Sequence, residues 1–193
     1  MSSSSTHPSI TGTTRVFGVI ADPVSHVRAP MVFNPYFIEK GTDAVLIPMH
    51  IPEAELEATI RGLAGMPNMG GVCVTIPHKM ALAGLCDELG MAARITGAVN
   101  AVRFDQGRLV GDNFDGAGFV AGCKGEGVVL EGRKILMLGA GGAARAIATA
   151  LADPALHAAG RAACRAAMFG NLTDGRAGER LARRIAGLAP TGR

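Results

Sequence analysis

No stretch of this 193-residue chain is apolar for long enough to cross a membrane as a helix. Its first fourteen residues include four consecutive serines but neither a basic start nor an apolar middle. A membrane span and a secretory signal are therefore not expected. Residues 1–13 are expected to form a disordered tail on a soluble, cytoplasmic protein. The four cysteines, Cys73, Cys86, Cys123 and Cys164, form no C-x-x-C pair and show no metal-ligand spacing. Reduced thiols fit that pattern, and no metal site is expected. Charged residues make up only 18% of the chain against 48% hydrophobic, which excludes an intrinsically disordered protein. Aromatic residues are few as well, at 4%.

The charges are unevenly placed. Residues 1–132 carry 9 Lys/Arg against 13 Asp/Glu, and residues 133–193 carry 10 against 3. A basic segment suits nucleic acid or a phosphate-bearing ligand. Its single aromatic, Phe169, cannot supply the stacking platform of a single-strand binder, and no recognisable nucleic-acid module accompanies it. A small anionic cofactor is the simpler expectation, with neither a nucleic-acid nor a membrane partner. The length suits one large domain or two small ones, burying about 70% of the unfolded surface.

The chain reads as alternating strands and helices. Residues 15–21 form an apolar strand closed by Asp22-Pro23, residues 30–40 a helix, residues 44–47 a second strand, and residues 52–63 an acidic-started amphipathic helix. Val72-Cys73-Val74 is a short buried strand. It runs into Val74-Thr75-Ile76-Pro77-His78-Lys79, where Pro77 keeps Ile76 extended and suits the first position of a helix. The expected result is a sharp strand-to-helix corner with Lys79 one turn inside. Taken alone, Lys79 reads as a solvated helix lysine. Residues 98–103 and 108–111 flank Asp105-Gln106-Gly107 as a hairpin. Asp115-Gly116 opens a helix to about Lys124, with Asp115 a natural N-cap. Alternation of this kind predicts an α/β fold whose mostly parallel sheet is covered on both faces.

A second unit starts near Gly125. Residues 134–138 read as a strand followed at once by Gly139-Ala140-Gly141-Gly142-Ala143-Ala144-Arg145, a G-x-G-x-x-A pattern opening a helix. Gly139 allows the tight turn, Gly141 lets the backbone approach a pyrophosphate, and Ala143 or Ala144 permits close helix–strand packing. Residues 165–171 look like the next strand and residues 174–188 a helix, giving βαβα. A complete dinucleotide-binding fold needs more strands than these.

With these pieces in order, the chain resembles the shikimate dehydrogenase family, which includes quinate dehydrogenases, over roughly residues 15–185. The motifs that carry the resemblance are Gly18-Val-Ile-Ala-Asp-Pro23 with His26 and Pro30, the Val74–Lys79 run, Gly97-Ala-Val-Asn100, Gly111-Asp-Asn-Phe-Asp-Gly116 and Gly139–Arg145. The resemblance implies an N-terminal substrate-binding α/β domain over 14–124. A partial Rossmann NAD(P)-binding domain over 125–193 follows, and family members run considerably further, so the chain is expected to be C-terminally truncated. Lys79 and Asp115 look like the catalytic pair that handles the proton while a hydride moves between nicotinamide and the substrate ring. Thr75 and Asn100 match polar contacts to ring hydroxyls. Gly139, Ala140, Gly141, Gly142 and Ala143 match the pyrophosphate loop, and Asn171, Thr173 and Arg176 the adenosine side of NAD or NADP.

Four positions depart from the family. Val27 and Ala29 stand where two hydroxyl residues hold the substrate carboxylate, Cys73 replaces an asparagine, and Phe114 replaces a threonine. Losing a hydrogen bond to a charged group costs about 1.5–3 kcal/mol, unless Ser25 or Arg28 supplies a substitute anchor. The expected substrate is thus a shikimate-like or quinate-like cyclohexene or cyclohexane carboxylate recognised differently away from the reacting carbon. Leu172 removes one phosphate-binding fork of an Asn-Arg-Thr run, and Asp174 suits a free ribose hydroxyl, which tilts the cofactor toward NAD. Two other readings stand beside the dehydrogenase. One is a non-catalytic ligand-binding remnant; the other is nucleic-acid binding by the basic segment. A homodimer is compatible with either of the first two.

Overall fold

The computed structural model describes residues 9–139 and 141–152, and the chain divides into two compact units, Met1–Asp112 and Asn113–Arg193. The first unit runs β1 (Arg15–Ala21), α1 (Ala29–Glu39), β2 (Ala44–His50), a 3-10 turn (Glu53–Glu55), α2 (Leu56–Ala64) and β3 (Met69–Val74), followed by α3 (Lys79–Leu85), β4 (Glu88–Leu89), α4 (Met91–Thr96), β5 (Ala101–Asp105) and β6 (Arg108–Asp112). Each strand expected from the pattern in this unit is present. The helix read over 52–63 starts as the 3-10 turn before becoming α2. The short elements β4 and α4 were not foreseen.

The strands form one six-stranded sheet in the order β2-β1-β3-β5-β6-β4. β1 pairs in parallel with β2 and β3, β4 in parallel with β6, and β5 runs antiparallel to both its neighbours. Only β5 is therefore reversed, as a mostly parallel sheet requires. The hairpin sets β5 against β6: Gln106 and Gly107 both have positive φ, at 52° and 81°, which matches the right-handed twist of the flanking strands.

Alternate residues of β1 feed opposite layers. On one face Phe17 stacks on Phe37 of α1, with ring centroids 5.9 Å apart. On the other, Ile20 joins Ile60 of α2, Val72 of β3, Leu82 of α3 and Leu109 of β6 in the main core. Ile20, Ile60, Leu82 and Leu109 are fully buried, each contributing about 1.5–3 kcal/mol by leaving water. Strand β2 lies at the sheet edge, and Asn34 of α1 covers part of its open backbone. The Asn34 amide donates to the Leu46 carbonyl at 3.0 Å while its oxygen accepts from the Leu46 N–H at 2.8 Å. Ahead of β1, the hydroxyls of Thr13 and Thr14 donate to the Asp43 carboxylate at 2.8 and 2.6 Å. The end of the leading segment is thereby tied down, whereas a disordered tail to residue 13 was expected; residues 1–8 lie outside the described residues.

In the second unit, α5 (Asp115–Gly125) packs on α6 (Gly142–Ala152). Gly116 permits the close approach, since a Cβ there would run into the Ala146 carbonyl. The strand expected over 134–138 does not form, and Leu136 and Leu138 are 86% and 88% exposed. A strand needs a neighbour for its backbone groups, and the expected one, residues 165–171, lies outside the described residues. Small residues of α6 pack on α5 instead: Ala146 and Ala150 are buried. The expected helix over 174–188 also lies outside the described residues, as does Cys164. Cys73, Cys86 and Cys123 are free thiols. Among the described residues, no helix is long and apolar enough to cross a membrane.

Candidate functional site

The order of the first strands locates the site. From β1 the chain passes through α1 to β2 on one side, then through α2 to β3 on the other. The winding direction reverses at β1, and a crevice opens outside the carboxyl ends of the two inner strands at such a point. Asp22, Thr75 and the corner that follows sit there. Because β5 is reversed, its start lies beside the end of β3, with Cys73 opposite Ala101. Asn100, one residue earlier, is thereby carried to the same edge.

Backbone hydrogen bonds stitch these segments together. Thr75 N–H donates to the Ile20 carbonyl at 3.1 Å and Asp22 N–H to the Ile76 carbonyl at 3.3 Å. Val74 N–H donates to the Asn100 carbonyl at 2.8 Å, Asn100 N–H to the Asp112 carbonyl at 3.0 Å, and Val99 N–H to the Lys79 carbonyl at 2.9 Å. Thr75, Lys79 and Asn100 are all half-buried, so their side chains keep access to solvent. Sequence and topology thus bring three of the expected residues to one edge of the first unit.

The corner differs in detail from the sequence expectation. Pro77 is not the first helical residue; α3 starts at Lys79. The Ile76–Pro77 peptide is cis, and His78 N–H closes a turn onto the Thr75 carbonyl at 3.0 Å. The helix begins only after that turn, so Lys79 stands at the mouth of the corner rather than one turn inside. Ile76 and Met80 flank it as exposed apolar side chains, at 69% and 54%.

Two groups were not singled out by pattern alone. His78 is fully buried, and its Nε2 lies 2.8 Å from the Ile51 carbonyl. The carboxylate of Asp112 accepts from the Ala93 N–H at 3.0 Å, holding the first turn of α4. Gly97 ends that helix in the left-handed conformation, at φ 65°, and turns the chain toward Asn100. The motif letters of both residues are visible in the sequence, but their burial and partners depend on the fold.

Of the four departures, Val27, Ala29, Cys73 and Phe114 are all half-buried. Burial pushes the Cys73 thiol up to about 11, so it is a neutral, weakly polar surface at neutral pH. Asp115 is the first residue of α5 rather than its N-cap. Its N–H donates to Asn113 Oδ1 at 3.1 Å, so the capping oxygen comes from two residues earlier. An acid in the first helical turn is favoured by the helix dipole.

In the second unit the residues on either side of Ala140 are described. Gly139 has φ +111°, open only to glycine, and Arg145 N–H donates to the Gly141 carbonyl at 3.0 Å as α6 begins. Gly142 and Ala143 occupy its first positions, with Gly141 and Ala143 exposed. An exposed helix start is a favourable place for an anion. Ala140, Asn171, Leu172, Thr173, Asp174 and Arg176 lie outside the described residues. Among the described residues, no cluster of three or more His, Cys, Asp or Glu could hold a metal ion.

Residues 19–102 match the shikimate dehydrogenase substrate binding domain. The chain is 46% identical over 145 residues to the shikimate dehydrogenase (NADP(+)) of Rubrobacter xylanophilus, covering 75% of this chain and 51% of that one. It is 41% identical over 187 residues to the enzyme of the same name from Geobacter sp. strain M21, covering 95% and 63%. A solved shikimate 5-dehydrogenase from Listeria monocytogenes, in complex with shikimate and NAD, superposes with a TM-score of 0.69 at 37% identity, covering 74% of this chain and 49% of that chain. The chain spans between about half and two thirds of the length of these curated relatives.

Proposed function

We propose that this chain belongs to the shikimate dehydrogenase family, binds a shikimate-like or quinate-like ring and takes part in its NAD(P)-dependent interconversion with the corresponding ketone. The observation that carries the reading is the meeting of Thr75, Lys79 and Asn100 at the switch-point edge of one sheet, fixed by the Val74–Asn100 and Val99–Lys79 backbone bonds. In this reading Thr75 and Asn100 hydrogen-bond the ring hydroxyls. Lys79 holds or returns the proton of the reacting oxygen, and Asp115 orients the ammonium and stabilises its charged form. The glycine loop at Gly139, Ala140, Gly141, Gly142 and Ala143 receives the pyrophosphate, and Asn171, Thr173 and Arg176 the adenosine side. The bound dinucleotide supplies the hydride acceptor or donor. Leu172 and Asp174 tilt the choice toward NAD.

Val27, Ala29, Cys73 and Phe114 present little hydrogen-bonding capacity, so recognition of the ring differs from that in the relatives away from the reacting carbon. The test is appearance of reduced nicotinamide with shikimate or quinate and either dinucleotide, run beside Lys79→Ala. Activity is expected to fall by at least about a hundredfold in the variant. Activity that survives the substitution removes Lys79 from its role.

A second reading is ligand binding without turnover. The observation favouring it is the absence of a strand at 134–138, with Leu136 and Leu138 exposed. Shikimate binding with no reduced nicotinamide would select it.

A further inference from the structure

A side-chain bond ties the Lys79 corner to the residue that follows β2. Ile51, the residue after β2, donates its N–H to the Ala21 carbonyl at the end of β1 at 3.2 Å. Its own carbonyl lies 2.8 Å from His78 Nε2. A carbonyl only accepts, so Nε2 carries the proton. The imidazole is 0% exposed, and among the described residues its Nδ1 has no hydrogen-bond partner. A wholly buried ring that satisfies one nitrogen and strands the other is an expensive way to fill space. An apolar ring of similar size would fill the same volume without that penalty. What the histidine adds is one directed bond from the corner to the ends of two strands.

That bond acts beside Lys79. The main chain of His78 is fixed on both sides: its N–H donates to Thr75 and its carbonyl accepts from Leu82 N–H at 2.9 Å. Leu82, on the next turn of α3, is itself fully buried. With the side chain also anchored, the residue immediately before Lys79 is held at three points. The start of α3, and the origin of the lysine side chain, are therefore set against the ends of β1 and β2.

We propose that His78 is a positioning residue for Lys79, acting through its Nε2–H bond to the Ile51 carbonyl. The inference rests on the reading of Lys79 as the proton-handling group, but it concerns the placement of that lysine and can be measured without turnover. Gln Nε2 falls near the position of His Nε2, whereas Asn Nδ2 falls near Nδ1. His78→Gln therefore keeps the tie, and His78→Asn cuts it while staying polar and smaller. His78→Phe cuts it while filling the volume.

The test uses the full chain and two readouts. The first is the rate of Lys79 acetylation by a limiting acylating reagent, read by mass spectrometry against Lys40 and Lys124 in the same molecule. The second is shikimate affinity by calorimetry. In His78→Asn the Lys79 rate is expected to rise about threefold relative to the two reference lysines, as the corner loosens. Shikimate affinity is expected to fall roughly tenfold. His78→Gln should return both toward the native values. If His78→Phe does not fold, the Asn and Gln pair carries the comparison alone. A folded His78→Asn protein that labels Lys79 at the native rate overturns the proposal. Equal changes in His78→Asn and His78→Gln overturn it too, because they reduce His78 to bulk. Should the native chain not bind shikimate, the acetylation series still decides the placement of Lys79, and only the functional reading falls.

Discussion

Cys73 lies near the end of β3, two residues before Thr75. The Cys73 thiol, pushed up to about 11 by burial, holds roughly a hundredfold less thiolate at pH 8 than the same thiol in an unfolded chain, whose ordinary value is 9.0. Iodoacetamide should accordingly alkylate Cys73 about a hundredfold more slowly in the native protein than in urea, as peptide mass spectrometry would report. The linked stability follows in sign. A thiol whose value is raised by folding favours the native state at low pH, and that contribution is lost as pH rises from 9 toward 11. Cys86 shares the direction: burial first and then Asp87 push it up, with Arg61 opposing. Melting temperature should thus fall over that interval, and less steeply in Cys73→Ala. At this scale the chemical letters at the site were legible, since Thr75, Lys79 and Asn100 stand in recognisable runs. The roles of His78 and Asp112 were not. Nothing in the local pattern says that one histidine is wholly buried or that the acid ending a strand holds the first turn of a helix, at a residue 19 positions earlier.

Among the elements, α3 matters most for its size. It has seven residues, too few to be stable through helix propensity. Its hold on the sheet comes from Leu82, fully buried among Ile20, Ile60, Val72 and Leu109. Leu82→Ala should therefore destabilise the first unit by about 2–5 kcal/mol, measured by urea unfolding. It should also weaken shikimate binding, because the helix carrying Lys79 loses its anchor. A loss below about 1 kcal/mol would mean that the corner is held from elsewhere. The elements that announced themselves in the sequence had either a clear period or explicit turn chemistry. Strand β1 stops at Asp22-Pro23, and the β5–β6 hairpin is fixed by Gln106-Gly107. The pair β4 and α4 has two and six residues, short enough that no period develops. Residues 134–138 show the opposite failure: their composition suits a strand, but strand formation depends on a neighbour that sequence-local reasoning cannot supply.

For the whole molecule, the glycine pattern and the basic residues beyond residue 132 point to a second unit near Gly125, whereas the chain divides after Asp112, so that α5 groups with α6. The sheet order was less accessible. Strand alternation suggests a mostly parallel sheet, yet the single reversed strand is what brings Asn100 beside Thr75. That placement depends on β3 and β5 pairing antiparallel across a long stretch of chain, which no local pattern states. A dinucleotide and a ring substrate engage different parts of this chain in the proposed function, so substrate recognition by the first unit can be tested without cofactor. The most direct measurement is a calorimetric titration of the native chain and of Lys79→Met with shikimate. Saturable binding by the native chain that is lost in Lys79→Met is the expected result. No binding at millimolar shikimate, or equal binding by both proteins, would contradict a substrate site at the Thr75–Lys79–Asn100 edge.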